Sequence, residues 1–225
     1  MVDRLRALGV PLLSALLVLS ASLWAFGFIV DEQISEGETH NDERFAEWLH
    51  GSATDPFTDL FRAITWLGNF TTLLVVTLVA IGIFLRRRER TDAVFVGLAF
   101  LGAQVLSSGM KLGFRRERPF FSDPLATERT YSFPSGHALV SLAVYGSIAL
   151  VLARRLPTRG ERVLLLAGAG ILVLAIGFSR LYLGVHFLSD VLAGYAAGTA
   201  WLALLYVVLE LRGRYTSRYL ASTNE

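Results

Sequence analysis

Three groups of side chains in this sequence have the types and spacing to handle a phosphate. They are Lys111 with Arg118 and Pro119, the run Pro134-Ser135-Gly136-His137, and Ser179-Arg180 followed by His186 and Asp190. Lysine and arginine supply positive charge, and the arginine fork matches phosphate oxygens. The run ending in His137 stands directly before an apolar stretch. A helix that begins there presents unpaired backbone N–H groups and the positive end of its dipole, which is an anion site before any side chain is counted. Ser135 adds a donor, and Gly136 permits close backbone approach. His186 and Asp190 are four residues apart, a spacing that puts both on one face of a helix.

These residues sit in a chain built for lipid. Of its 225 residues 53% are hydrophobic and only 18% charged, with a mean hydropathy of +0.51. Soluble domains carry about 25% charge. The charges are also clumped, leaving apolar runs at about Pro11–Val30, Ile64–Leu85, Ala93–Gly113, His137–Ala153, Val163–Phe178 and Phe187–Leu209. The expected fold is all-α: a single domain over 1–225, an integral membrane bundle of six transmembrane helices with its motif-bearing core at 111–190. The first run is too long for the apolar core of a cleaved signal peptide, and it is expected to be a retained span.

Between the first two runs, Phe45, Trp48 and Leu49 have helical spacing. They predict a short interfacial amphipathic helix in the first extracytoplasmic loop, with Thr39 and Asp42 as its capping box. Asp55-Pro56 reads as an N-cap followed by proline at the first helical position. Gly194 and Gly198 form a small-residue stripe expected to pack inside the bundle. The tail from Arg212 is expected to have little structure.

Basic residues concentrate in the N-terminus, in Arg86–Arg90, in Arg154–Arg162 and in the tail. By the positive-inside rule these regions are cytoplasmic, both termini included. The phosphate-handling residues then share the extracytoplasmic face of a multi-pass protein of the cell membrane. The net charge of +2 gives no reason to expect a nucleic-acid partner. The absence of cysteine excludes disulfides and thiolate metal sites.

The order and spacing K-x6-R-P, P-S-G-H and S-R-x5-H-x3-D resemble the type 2 phosphatidic acid phosphatase superfamily, which also includes soluble vanadium haloperoxidases. The resemblance covers Lys111 to Asp190 by motif and the six runs by architecture. It implies a membrane lipid phosphatase, with phosphatidic acid, phosphatidylglycerol phosphate or undecaprenyl diphosphate as substrate. A phosphotransferase built on the same histidine is the alternative, and an anion transporter a minor one.

Roles for the residues follow from their chemistry. Asp190 accepts from one imidazole nitrogen of His186 and leaves a lone pair on the other, making His186 the expected nucleophile. His137 gives its proton to the leaving oxygen and then activates water. Lys111, Arg118 and Arg180, with Ser135 and the Gly136 N–H, hold the non-bridging oxygens. Arg115 and Arg116 could take a second phosphate or a headgroup, or touch anionic lipid. Glu117, Asp123 and Glu128 read as solvated loop charges. With cations already in the place of a metal, no metal site and no cofactor are expected, and the partners are a lipid phosphate substrate and membrane lipids.

Overall fold

The computed structural model describes residues 2–32 and 40–222, with side chains for 12–32 and 40–211. Among them every regular element is a helix: α1 (Val2–Val30), α2 (His40–Gly51), α3 (Asp55–Trp66), α4 (Phe70–Arg86), α5 (Arg90–Phe114), α6 (Gly136–Ala153), α7 (Arg159–Tyr182) and α8 (Leu188–Ser222). Helices α1, α5, α6, α7 and α8 are each long and apolar enough to cross a membrane. Their shafts expose Leu17, Trp24, Leu164 and Ile171, large side chains that lipid accepts and water does not. The chain is a multi-pass membrane protein.

The second apolar run is not one straight helix, as the sequence suggested. It is α3 and α4, bent by 44° at a short break, so the span count is five, or six if the bent pair is one crossing. The break has local causes. The Asn69 side chain accepts from Thr72 N at 2.7 Å and caps α4, while Tyr145 Oη donates to the freed Leu67 carbonyl at 2.8 Å. The N-cap of α3 is Thr54 rather than Asp55, one residue early, and Pro56 still falls in the first turn. Thr39 lies outside the described residues, and Asp42 is turned inward to partners described below. The tail also differs from expectation: the α8 backbone stays helical to Ser222, since no proline interrupts it.

Helix α6 runs through the middle of the bundle, packed against α5, α7 and α8. The glycine stripe of α8 lies on it. A Cβ at Gly194 would meet the Ser135 carbonyl at 2.7 Å, and one at Gly198 the Leu139 carbonyl at 2.9 Å. Small residues here let two backbones pack in direct contact, the main source of helix association in lipid.

The connections sort the bundle into two ends. At one, Arg154 and Arg155 of the α6–α7 loop pair with Asp92, and Arg155 also with Glu89 at 2.7 Å. At the other, the C-termini of α5 and α7 meet the N-termini of α6 and α8. The loop 115–135 lies there, as do α2, packed on α7 and α8, and α3, packed on α7.

Candidate active site

Those four helix termini and the connections between them carry the motif residues. Lys111 lies in the last turn of α5 and donates from Nζ to the Tyr131 carbonyl. Arg180 lies in the last turn of α7 with its side chain 4% exposed; Nη1 donates to Thr65 Oγ1 at 2.7 Å and Nη2 pairs with Glu128. Arg118 comes from the loop. It donates from Nε to the Thr130 carbonyl at 2.7 Å, and its Nη1 donates to the Val185 carbonyl and lies 3.1 Å from His186 Nε2.

Ser135 is the N-cap of α6, and its backbone N–H donates to the Asp190 carbonyl at 2.9 Å. The first N–H groups of α6 have no partner within the helix. Two further polar atoms, Ser135 Oγ and Arg180 Nε, are buried without a protein partner. Buried polar atoms are rarely left so, and each needs an explanation. Gly136, His137, Lys111, Arg118 and His186 line one cavity of about 270 Å³. Gly68 in the break before α4, Phe70 at the start of α4, and Gln104 and Ser108 of α5 also line it.

His186 is not on a helix, contrary to the spacing argument. It sits in the short α7–α8 connection, two residues before α8 begins. Its pairing with Asp190 survives for another reason: Asp190, in the first turn of α8, folds back over the helix start. Asp190 Oδ2 accepts from Phe187 N at 2.9 Å and from Ser132 Oγ, and lies 3.3 Å from His186 Nδ1. With Nδ1–H directed at Asp190, the Nε2 lone pair faces Arg118. Burial first, then the charges of Arg118, Lys111 and Arg180, hold His186 well below the usual histidine range. The ring is neutral at neutral pH, as a nucleophile must be.

Asp190 is fully buried, and its charge is balanced by Arg116, whose Nη1 reaches Oδ1 at 2.8 Å. Arg116, a candidate for a second phosphate by sequence, thus has its guanidinium already committed to carboxylates. Its side chain is 8% exposed, lies 4.6 Å over the Phe187 ring, and also pairs with Asp42 of α2 at 2.9 Å and with Ser189 Oγ at 2.7 Å. Arg115 is exposed in a left-handed turn (φ 50°) that ends α5, and its Nε donates to the Leu112 carbonyl. The groove outside the site is lined by Arg129, Glu117 and Tyr131, together with Arg116.

Glu128 is not a solvated loop charge, as its position in the sequence suggests; it closes on Arg180. Asp123 is exposed as expected, and His50 Nε2 holds it at 3.1 Å. Nothing in the sequence marks Ser132, Asp42 or Glu128 as site residues, because the side-chain partners that matter lie 58, 147 and 52 positions away respectively.

The PAP2 superfamily model matches residues 92–214, a stretch that holds all of these motif residues. The chain belongs to the PAP2 superfamily. The sequence is 35% identical over 142 residues to phosphatidylglycerophosphatase B of Bacillus subtilis (strain 168), covering 62% of this chain and 69% of that one. It is 31% identical over 134 residues to an undecaprenyl-diphosphatase of Sulfolobus acidocaldarius, covering 56% and 59%. The crystal structure of a transmembrane PAP2 type phosphatidylglycerolphosphate phosphatase from Bacillus subtilis superposes with a TM-score of 0.78 at 28% identity, over 85% of this chain and 96% of the other. As a PAP2 protein the chain is a phosphatase, and its helices place it in a membrane.

Proposed function

We propose that this PAP2 protein removes the terminal phosphate of a membrane lipid through a phosphohistidine at His186. The observation that carries the reading is the convergence of Lys111, Arg118, a helix N-terminus and a buried neutral histidine on one cavity, with Arg180 joined to its wall through Glu128. Phosphoryl transfer asks little more of a protein than position and charge stabilisation.

The steps follow from the geometry. Lys111, Arg118, Arg180, the Ser135 hydroxyl and the Gly136 N–H take the non-bridging oxygens. His186 Nε2 leaves its contact with Arg118 and attacks phosphorus, and the bond to the lipid oxygen breaks. His137, in its protonated form, gives that oxygen a proton. Neutral His137 then takes a proton from water, whose oxygen attacks phosphorus, releasing inorganic phosphate and restoring His186. Asp190 fixes the tautomer throughout. Arg180 Nε and Ser135 Oγ gain acceptors when an oxyanion is bound, which accounts for their lack of protein partners.

The names of the relatives favour phosphatidylglycerol phosphate as substrate, with undecaprenyl diphosphate next. The site lies near the level of the headgroups. The 18 residues of α6 span only about 27 Å, so its active end sits low, and a lipid reaches the cavity sideways between α4 and α5. The motif face is extracytoplasmic, as the basic loops at the far end indicate. The chain has no cysteine, so a thiol introduced as Thr127→Cys should react with an impermeant reagent added outside cells, and Arg87→Cys only after permeabilisation.

The deciding experiment is phosphate release by the purified protein from phosphatidylglycerol phosphate, phosphatidic acid, undecaprenyl diphosphate and a water-soluble phosphate. Release should persist in EDTA, stop with vanadate, and vanish in His186→Ala. Full loss in EDTA with recovery in Mg²⁺ would overturn the metal-free scheme. Equal turnover of soluble and long-chain phosphates would overturn sideways access.

A further inference from the structure

Glu128 belongs to the loop between α5 and α6, yet its carboxylate is drawn into the site. It pairs with Arg180 Nη2 and lines the same cavity as His186, Lys111 and Arg118. The Arg180 side chain is 4% exposed, and that of Glu128 33%. Glu128 thus covers Arg180 from the solvent side. Burial works against the Arg118 charge, and Glu128 is the strongest influence supporting it. A carboxylate so placed meets the cations that a phosphate would meet, and both cannot hold Arg180 Nη2 together.

We propose that Glu128 is a specificity-determining residue, a tethered carboxylate that keeps phosphodiester headgroups out of the site and yields only to a terminal phosphate. The inference rests on the phosphatase reading above. Its logic is competition. Most phospholipid headgroups are phosphodiesters, with one negative charge and two non-bridging oxygens. They surround the site at high local concentration, and a bare cluster of Lys111, Arg118 and Arg180 would bind them unproductively. A terminal phosphate carries nearly two charges and three strong acceptor oxygens, enough to satisfy all three cations at once. Glu128 carries one charge but is attached, so its effective concentration is high. It therefore wins against a diester and loses to a monoester. On release Glu128 swings outward on its loop, toward the groove lined by Arg129.

The test uses the full chain in detergent micelles with short-chain phosphatidic acid as substrate, titrated with phosphatidylglycerol. Without added phospholipid, Glu128→Gln should lower KM, by about tenfold if the closed form outweighs the open form by that factor. The inhibition constant of inorganic phosphate should fall in parallel, with kcat little changed. Added phosphatidylglycerol should then raise the apparent KM of Glu128→Gln steeply and leave the wild type nearly unaffected. A raised KM or a reduced kcat in Glu128→Gln would overturn the proposal, because Glu128 would then be orienting Arg180 for substrate. Equal sensitivity of the two proteins to phosphatidylglycerol would overturn it as well. Wild-type turnover of the short-chain monoester checks the phosphatase reading separately.

Discussion

The carboxylate of Asp42 accepts the backbone N–H of Ser189 at 3.1 Å, across 147 positions of sequence, and pairs with Arg116 at 2.9 Å. A residue in the first turn of α2 thereby caps α8 and holds the cation that balances Asp190. Both charges of the pair are buried. Removing one partner from such a pair costs about 3–5 kcal/mol, because the other stays buried and uncompensated. Asp42→Ala should therefore lower the thermal unfolding temperature in detergent. It should also reduce kcat more than it raises KM, since Arg116 loses its second anchor and Asp190 shifts under His186. Asp42→Asn keeps an acceptor for the Ser189 N–H and should fall between the two.

His137 and His186 share a cavity but have different duties. If His137 activates the second-step water, His137→Ala stalls the enzyme after phosphoryl transfer. With a substrate whose leaving group needs no proton, such as an aryl phosphate, this variant should accumulate a phosphoenzyme that is acid-labile and base-stable. His186→Ala should form none. Equal labelling of both variants would show that another residue is the nucleophile.

The burial of His186 among Arg118, Lys111 and Arg180 sets the sign of a pH effect. An unperturbed histidine takes up a proton near pH 6.5. In the fold this value is lowered, so the unfolded chain binds the proton more readily. The contribution of His186 to stability is intact above about pH 6.5 and is lost as pH falls toward the lowered value. Activity follows the same direction: His186 stays nucleophilic at pH 6, facing Arg118, Lys111, Arg180, Asp190 and His137. The chain has only four histidines, so ring carbon shifts can be followed individually by NMR. The His186 ring should not titrate at pH 6.

Gly68, in the break between α3 and α4, lies against the site. A Cβ there would meet His137 Cδ2 at 3.0 Å and collide with the Ile176 side chain. Gly68→Val should therefore push His137 off its position. Hydrolysis should drop at least tenfold, while the bundle, anchored elsewhere, keeps most of its thermal stability. Loss of both together would mean that the break is a packing element and not part of the site.

How far these features could be read from sequence depends on how local their causes are. Lys111, Arg118, Ser135, Gly136, His137, Arg180, His186 and Asp190 stood out because each motif is short and chemically unusual beside an apolar run. The spans were legible for the same reason. The break in the second run was missed because Leu67 continues the apolar pattern, although Gly68-Asn69 is a turn signal. The roles of Arg116 and Asp42 depend on tertiary contact alone: nothing near Asp42 in sequence says that it meets α8. Glu128 looked like any loop carboxylate, since only the folded loop brings it to Arg180.

The reactive groups are carried at the tips of α5 to α8 and by the connections between them, while the lipid-facing sides of the shafts below are apolar. Chemistry and membrane fit are thus written in separate parts of the molecule. Residues such as Leu164 and Ile171 can be exchanged for wider or narrower ones to suit a bilayer of another thickness or tail composition, and the phosphate-handling apparatus would not register the change.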